Sequence, residues 1–442
     1  MKRLIHQQLV HWKNTPSRKP LILKGARQVG KTWILNEFGK NEFPQSHYFN
    51  FEKSPKLRKI FDEELSAHHL ITELELFQNK RIDIQKDLIV LDEIQSCANA
   101  ITSLKYFNEE TPQLALCAAG SLIGLHLSEG SFPVGKVSFM EMYPLTFEEF
   151  LLALEQTRLH ELLINHSFSS AFSITAHDKL WELWKSYLIV GGMPEVINAY
   201  IKKRTHPLDA FTTARITQGE LILSYLSDMA KHSGKTNALH IEQLWRNIPH
   251  QLSTTQDGSS QKFKFKEAII GLRGYHQLSS PLSWLENTGL ILKTSIIKKP
   301  EKPLNAYAKE NLFKEYFFDV GLLGSMCDLA PQTIWQYQFG SYKGYLAENY
   351  VAQEIRAATN KNLYCWMGRT SEVEFILDTP EALIPCEVKS GWVTQSKSLK
   401  VYIEKYNPPY SLILSGNNKT SSSKKINLPL YAIGSYLNSF PK

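Results

Sequence analysis

The sequence predicts an α/β fold whose first domain is built on a parallel sheet. Three runs of apolar residues predict buried strands, at residues 21–24, 87–91 and 114–119. Runs without polar alternation are typical of parallel strands that helices cover on both faces. The first run leads straight into a glycine-containing turn, and polar residues follow the other two. We therefore expect functional groups at the carboxyl ends of these strands.

The turn after the first strand has the complete spacing of a phosphate-binding loop. Its members are Gly25, Ala26, Arg27, Gln28, Val29, Gly30, Lys31 and Thr32. The two glycines allow a tight turn that points backbone N–H groups at phosphate oxygens, and the following helix adds the positive end of its dipole. We expect Lys31 to reach the β- and γ-phosphates and Thr32 to ligate Mg²⁺. The alternative is an ordinary glycine turn that opens a helix.

The second strand ends in two adjacent carboxylates, Asp92 and Glu93. In a nucleotide-binding sheet, Asp92 would hold the hydration shell of Mg²⁺ and Glu93 would polarise the attacking water. The alternative assigns the pair to the start of a helix, where acidic residues are common. The upstream phosphate loop favours the catalytic interpretation.

Two residues further along are candidates for contact with the nucleotide. Ser121 follows the third strand and is placed to sense the γ-phosphate, although a turn serine has the same appearance. Lys136 precedes the stretch 143–150 and could complete a phosphate site in its own or a neighbouring subunit.

The composition is that of a multidomain globular protein. The chain has 442 residues, of which 43% are hydrophobic and 21% charged, and this length predicts two to four domains. No run of apolar residues is long enough for a transmembrane helix or a signal segment, so we expect a cytoplasmic protein that makes no membrane contact. The five scattered cysteines predict buried thiols. The net charge of +7 mildly favours a polyanionic partner.

After a first domain at residues 1–150, the pattern becomes helical over residues 151–235. Leucine, tryptophan and tyrosine recur there at helical spacing, as at Leu180, Trp184 and Leu188. The segment 191–194, with two glycines and a proline, interrupts the helices and predicts a turn.

Residues 236–330 predict a winged-helix unit. Helical segments around 241–248, 265–272 and 282–288 precede a strand at 290–297 and a basic hairpin tip, while residues 253–260 read as a polar loop. The lysines that could contact phosphates are Lys262, Lys264, Lys266, Lys293, Lys298, Lys299 and Lys302. The alternative is a solvated surface on a module that packs against protein.

Residues 331–442 predict a second α/β domain with its own acidic site. Glu348 lies in a helical segment, whereas Glu374, Glu387 and Lys389 lie in strand-like runs. Glu387 and Lys389 are two residues apart and so share one face of a strand. The three acids could hold a divalent ion while the lysine orients or deprotonates water. Charged residues on an exposed edge strand would give the same pattern.

Together these stretches resemble a large prokaryotic family of AAA+-type ATPases. In that family a P-loop domain precedes a winged-helix region and a C-terminal module similar to PD-(D/E)xK nucleases. The matching stretches cover essentially the whole chain: GARQVGKT at 25–32, LDEIQ at 91–95, GS at 120–121, YPLTFEEF at 143–150, GGMPE at 191–195, FKEYFFDVGLL at 313–323, GYLAENYV at 344–351, EVEFIL at 372–377 and CEVKSG at 386–391.

The resemblance implies an α/β P-loop NTPase sheet, a helical subdomain, a winged-helix unit and a C-terminal restriction-endonuclease-like domain. It also implies ATP binding at Lys31 and Thr32, with Asp92 and Glu93 as the magnesium and water-polarising acids. Two positions depart from the family pattern. Lys136 stands where arginine is usual and lacks its bidentate geometry, and Glu374 stands where aspartate is usual.

Three hypotheses about function follow. The leading one is a Mg²⁺-dependent ATPase that couples ATP binding and hydrolysis to engagement of double-stranded DNA by the winged-helix and C-terminal modules. The second is an ATP-gated, metal-dependent DNA nuclease that uses the C-terminal acids and Lys389. The third is a nucleotide-dependent switch that binds a protein partner or self-associates.

Overall fold

The computed structural model describes residues 1–121, 132–168, 170–232, 235–252, 262–422 and 424–440. The chain divides into two compact units, Met1–Tyr143 and Pro144–Lys442. Within the described residues, no helix is long and apolar enough to cross a membrane. The cysteines are free thiols, and most of them are buried, as the sequence predicts.

The first unit contains a parallel sheet, which confirms the predicted α/β fold of this domain. Its described strands are β1 (Leu21–Lys24), β2 (Ser46–Asn50), β3 (Leu88–Asp92), β4 (Ala115–Ala119) and β5 (Ser138–Glu141). They lie in the order β2-β3-β4-β1-β5, and each neighbouring pair is parallel. Because β1 and β3 are both parallel to β4, which lies between them, the phosphate-loop strand and the strand that ends in Asp92 have their carboxyl ends at the same edge.

Helices cover this sheet and close its core. They are α1 (Ile5–Asn14), α2 (Lys31–Glu42), α3 (Pro55–Ile60), α4 (Ala67–Gln78) and α5 (Ala98–Glu110). Every residue of β3 and β4 is buried. Apolar side chains of α4 and α5, including Leu70, Leu74 and Phe107, join Ile89 and Leu91 of β3 in one hydrophobic cluster. Burial on both faces explains why these strands lack polar alternation.

The second unit contains two sheets in its described residues. One has the order β7-β6-β8-β9 and the other the order β10-β11-β12-β14-β13. The strands are β6 (Ile291–Ile297), β7 (Ala308–Phe317), β8 (Leu363–Met367), β9 (Glu372–Val373), β10 (Phe375–Asp378), β11 (Leu383–Val388), β12 (Ser411–Ser415), β13 (Thr420–Ser422) and β14 (Lys425–Pro429). Strand β6 agrees with the run predicted at 290–297, and Glu387 lies in β11, whereas β7, β13 and β14 were not predicted from the sequence.

The helices of the second unit fall before, between and after these strands. They are α6 (Phe147–Ala153), α7 (Thr157–Ile164), α8 (Ile174–Val190), α9 (Pro194–Lys203), α10 (Pro207–His232), α11 (Lys235–Leu252), α12 (Phe265–Ala268), α13 (Tyr275–Asn287), α14 (Val320–Met326), α15 (Pro331–Gln336), α16 (Tyr342–Thr359), α17 (Lys397–Tyr406) and α18 (Ile433–Asn438). The predicted turn at 191–194 is confirmed, since Gly191 ends α8 and Pro194 begins α9.

One local prediction, the helix at 265–272, needs correction, and another, the loop at 253–260, falls outside the described residues. The helix predicted over 265–272 ends at Ala268, because Gly271 adopts a φ of 89° and Ile269 instead forms an isolated bridge to Leu272. The polar loop predicted at 253–260 lies outside the described residues.

The strands of the predicted wing share a sheet with the C-terminal segment. Strand β6 pairs antiparallel with β7, as a wing requires, and pairs on its other side parallel with β8. The predicted boundary at residue 330 therefore separates strands that are joined by backbone hydrogen bonds. The boundaries at 150, 235 and 330, and the winged-helix and nuclease-like assignments, stay predictions.

Candidate nucleotide site

The phosphate loop connects β1 to α2 through a backbone that only selected residues tolerate. Gly25 has a φ of 142° and Gly30 a φ of 98°, and Gln28 adopts a left-handed conformation at 61°. A Cβ atom on residue 25 would overlap the carbonyl oxygen of Met142. Helix α2 begins directly after Gly30, so its first N–H groups face the loop, as anion binding requires.

Lys31 lies inside this loop. Its Nζ donates hydrogen bonds to the carbonyl oxygens of Gly25 at 2.9 Å and Ala26 at 2.7 Å. Burial lowers the pKa of Lys31 to about 8, against the opposing effect of the Glu93 and Asp92 carboxylates. A desolvated ammonium held by neutral carbonyl groups would gain strongly from an anionic partner.

Thr32 and Asp92 meet at the edge of the sheet, which brings together residues 60 positions apart in sequence. The Thr32 hydroxyl donates to Oδ2 of Asp92 at 2.8 Å. Asp92 is buried, and its Oδ1 accepts the backbone N–H of Glu93 at 3.0 Å. A hydroxyl and a carboxylate side by side are hard oxygen groups of the kind that hold Mg²⁺ or orient its waters.

Glu93 leaves the strand in a left-handed conformation, with a φ of 52°. Such a φ is uncommon for a residue other than glycine and is often found at functional sites. Its Oε2 accepts a hydrogen bond from Nε2 of Gln95 at 2.5 Å. The carboxylate that the sequence assigns to water activation is thus held by an amide two residues away.

Strand β2 supplies two groups that the sequence reading missed. The Tyr48 hydroxyl donates to Oδ2 of Asp92 at 2.6 Å, and burial together with this bond raises the pKa of Tyr48 to about 12. The Asn50 amide donates to the Tyr48 hydroxyl at 3.1 Å and reaches the same carboxylate oxygen at 3.5 Å. The sequence does show polar side chains at alternate positions, Tyr48 and Asn50, but this pattern matches no known functional motif.

A third missed residue lies at the start of the chain. Arg3 is buried, and its guanidinium donates to the carbonyl oxygens of Val29 at 2.7 Å and Tyr143 at 2.6 Å. The residue therefore connects the phosphate loop to the segment that follows β5. Nothing in the sequence around Arg3 indicates this contact, which depends on the path of the chain.

The two outlying candidates differ in their contacts. Ser121 is buried, and its hydroxyl accepts a hydrogen bond from Nε of Arg27 at 3.1 Å, so it joins the loop. Lys136 instead forms an ion pair with Glu109 at 2.8 Å at the end of α5. The structure shows no contact between Lys136 and the phosphate-loop residues in the part of the chain it describes.

The C-terminal acids lie near one another, but each is bound by a different group. Oε2 of Glu348 accepts from the Tyr316 hydroxyl at 2.9 Å, and Oε2 of Glu374 accepts from the Val388 N–H at 3.3 Å. Glu387 pairs with Lys389 at 2.8 Å. Burial, with the negative charge of Glu387 and Glu348 nearby, raises the pKa of Glu374 well above its usual value.

The metal site that the sequence predicts at the three C-terminal acids stays a prediction. Among the described residues, no group of three or more histidine, cysteine, aspartate or glutamate side chains is arranged to hold a metal ion. Lys389 pairs with Glu387, and burial raises the pKa of Glu374, so a metal ion at this place would compete with the lysine and with protonation of Glu374.

Carboxylates also bind much of the predicted basic surface. Lys293 pairs with Glu286, Lys299 with Glu301, Lys302 with Asp378 and Lys264 with Glu267, at 2.8 to 3.5 Å. Lys262, Lys266 and Lys298 are exposed. The positive charge available to a polyanion on this surface is therefore smaller than the sequence suggests.

Comparison with known families bears on the first unit. Residues 17–151 match the family described as an AAA domain. This region is similar to AAA domains. The AAA-like region includes the phosphate loop, Asp92 and Glu93, in agreement with the P-loop ATPase assignment. Residues 181–333 and 343–433 match two families that are each described as a domain of unknown function.

Similarity to solved structures is distant. A Walker-type ATPase of Pyrococcus abyssi is 14% identical with a TM-score of 0.45, and the match covers 74% of this chain and 95% of that one. The ORC1 protein of Aeropyrum pernix in complex with DNA is 13% identical with a TM-score of 0.26, covering 74% and 90%. PCH-2 of C. elegans is 8% identical with a TM-score of 0.30, covering 48% and 65%. Such TM-scores do not bear on function, and no curated protein sequence matches the chain.

Proposed function

We propose that the first unit binds Mg²⁺-ATP and hydrolyses it. The observation that carries the proposal is the joint placement of three groups at one sheet edge: Lys31 buried in the loop, and Thr32 hydrogen-bonded to Asp92. The residues present fit the implied ligand, because the loop offers N–H groups and a cation to phosphates while Thr32 and Asp92 offer oxygens to Mg²⁺. When bound, the ion neutralises developing charge on the phosphates.

The protein's own groups divide the work of hydrolysis. Backbone N–H groups of the loop and the ammonium of Lys31 bind and orient the phosphates. Glu93 accepts a hydrogen bond from the attacking water and takes its proton. Gln95 donates to Oε2 of Glu93, and because a carboxylate accepts several hydrogen bonds, Glu93 can receive the water while Gln95 holds it.

We infer further that the second unit takes double-stranded DNA as its partner. The support is the net charge of +7 of the whole chain and, in the second unit, the exposed Lys262, Lys266 and Lys298. Phosphate contacts of this kind give a sequence-independent attraction that weakens with salt. Cleavage of DNA and binding of a protein partner are the other outcomes that an experiment must distinguish.

One experiment tests these proposals together. ATP turnover is measured for the wild type, Lys31→Ala and Glu93→Gln, each with and without double-stranded DNA, and the DNA is examined for nicks. Lys40→Ala is the matched control, because Lys40 is an exposed lysine on the same helix. We expect both site variants to lose turnover, by about a hundredfold or more, and Lys40→Ala to retain it. Equal turnover in all four proteins would overturn the ATPase proposal.

The DNA-binding proposal is tested by the effect of DNA on ATP turnover at different salt concentrations. We expect DNA to stimulate turnover at low salt and the effect to fade as salt rises, and the charge reversal Lys298→Glu to weaken it. Turnover that ignores DNA would direct the search to protein partners. Nicks that Glu387→Ala abolishes would support the nuclease hypothesis, in which Glu387 acts beside its ion-pair partner Lys389.

A further inference from the structure

We propose that Tyr48, assisted by Asn50, is a positioning residue: it holds the Asp92 carboxylate in the orientation that binds Mg²⁺ or its waters at the nucleotide site. The inference rests on the proposed ATPase function and adds to it residues from a strand without a recognisable motif. Tyr48 and Asn50 would affect only the nucleotide affinity that depends on Mg²⁺. The affinity that the phosphate loop provides without Mg²⁺ would not depend on them.

The two carboxylate oxygens of Asp92 have different hydrogen-bond donors. Oδ1 is occupied by the backbone N–H of Glu93, whereas Oδ2 receives the hydroxyl of Thr32 from α2 and the hydroxyl of Tyr48 from β2. Asn50 donates to the Tyr48 hydroxyl at 3.1 Å. The Asp92 side chain therefore links the helix that follows the phosphate loop to the neighbouring strand.

The sheet register explains why these residues can act together. Asn50 pairs with Asp92 and Tyr48 with Val90 across the parallel β2 and β3 strands. Residues 48 and 50 are two apart, so their side chains lie on one face of β2. Tyr48 and Asn50 are partly exposed, whereas the alternate residues His47 and Phe49 are buried on the opposite face of the strand. The face of Tyr48 and Asn50 is thus the one that carries Asp92.

The two hydroxyl groups that donate to Asp92 would have different roles when Mg²⁺ binds. The Thr32 oxygen can give a lone pair to the ion while its hydroxyl still donates a hydrogen bond to Asp92. The Tyr48 hydroxyl is held by Asn50 behind it and keeps the carboxylate from rotating. Groups that orient a metal's carboxylate in this way are typically worth about 10- to 100-fold in metal affinity.

The inference also explains why Tyr48 carries a hydroxyl at all. The β2–β3 pairing is already made by backbone hydrogen bonds, and Phe51 N–H donates to the Asp92 carbonyl at 3.1 Å. The phenol is therefore not needed to join the strands. Its remaining contact is the Asp92 carboxylate, supported by Asn50.

The test separates magnesium-dependent from magnesium-independent nucleotide binding. Binding of a fluorescent ATP analogue is measured in EDTA and across a Mg²⁺ titration for the wild type, Tyr48→Phe and Asn50→Ala. Tyr106→Phe, which removes a hydroxyl from α5 of the same unit, is the matched control. We expect Tyr48→Phe to raise the midpoint of the Mg²⁺ titration about tenfold, with affinity in EDTA unchanged. Asn50→Ala should shift the midpoint in the same direction and by less.

A double variant shows whether the effect passes through Asp92. In an Asp92→Asn background, Tyr48→Phe should add no further shift, because the carboxylate it positions is gone. An unchanged Mg²⁺ midpoint in both Tyr48→Phe and Asn50→Ala would overturn the inference. So would an equal loss of affinity in EDTA and in Mg²⁺, which is the mark of a merely structural role. A wild type that binds no nucleotide under either condition would instead refute the ATPase proposal itself.

Discussion

At the scale of single residues, Gly25 determines whether the phosphate loop can form. Its φ of 142° lies in a region open mainly to glycine, and the space for a side chain is taken by the carbonyl of Met142. The Met142 N–H donates to the Lys24 carbonyl at 2.8 Å, so the main chain after β5 is fixed beside the loop. The glycine is required by close backbone approach as well as by the turn.

A pair of alanine substitutions tests this requirement. Gly25→Ala should destabilise the first unit by about 1–3 kcal/mol through overpacking and abolish most nucleotide affinity, because the loop carbonyls and N–H groups must move. Gly135→Ala should leave affinity intact, since its φ of 72° carries strain but nothing lies within 4 Å of a Cβ there. Thermal unfolding and nucleotide titration measure both. Equal affinity loss in the two variants would contradict the steric explanation.

At the scale of elements, the turn between α8 and α9 is fixed by contacts with distant segments. Asp319, which caps α14, accepts the Gly192 N–H at 2.6 Å and the Leu322 N–H at 2.9 Å. The Gly192 carbonyl in turn accepts the Leu145 N–H at 2.7 Å. Gly192 therefore connects two distant stretches, because its N–H binds the buried Asp319 carboxylate and its carbonyl binds Leu145.

Two glycine-to-alanine changes with opposite expected signs test the turn. Gly192→Ala should lower the free energy of unfolding by about 2 kcal/mol or more, because its Cβ would overlap the Leu145 carbonyl oxygen. Gly219→Ala lies within α10 with nothing within 4 Å of the new atom, and should stabilise by about 0.5–1 kcal/mol through helix propensity. Urea unfolding measures both changes. A stable Gly192→Ala protein would show that the turn can relax.

At the scale of the whole molecule, buried acids link stability of the second unit to pH. Burial raises the pKa of Glu354 to about 8, with Glu148 and Glu149 nearby adding to the effect and the Phe147 N–H opposing it. Burial also raises the pKa of Asp319 to about 6, opposed by backbone N–H donors and by Arg215. Both groups hold protons more tightly in the folded state than in the unfolded state.

The sign of the pH dependence follows. Because the folded state binds more protons, the free energy of unfolding should fall as pH rises from the unfolded pKa values near 4 toward about 8, by a few kcal/mol in order of magnitude. Glu354→Gln should reduce this slope, and it should raise the unfolding midpoint more at about pH 8 than at about pH 5. Glu404→Gln, at an exposed position, should leave the slope unchanged. A slope that is the same in Glu354→Gln and the wild type would contradict the assignment.

Local sequence identified the parts of the site that carry strong motifs. Lys31, Thr32, Asp92 and Glu93 stand in patterns whose chemistry demands those residue types in that order, and the structure brings them to one sheet edge. Tyr48 and Arg3 carry no such pattern. Their roles depend on which strand lies beside β3 and on where the N-terminal segment passes the loop.

The C-terminal acids show the limit of motif reading. The spacing of Glu374, Glu387 and Lys389 is compatible with either a metal site or an ion pair, because spacing fixes the face of a strand and leaves the partner open. The structure shows an ion pair between Glu387 and Lys389 at 2.8 Å, and the metal site stays a prediction. The lysines of the predicted wing are a second example, since nearby carboxylates bind several of them.

The sequence by itself determined the phosphate loop, the acidic strand end and the buried parallel strands, because each depends on contiguous residues and on hydrophobic periodicity. Only the tertiary structure decided that Tyr48 and Asn50 reach Asp92, that β6 joins β8 in one sheet, and that Lys389 compensates Glu387. Those outcomes depend on which distant segments become neighbours and on how buried charges are balanced, and neither property is encoded in a local stretch of chain.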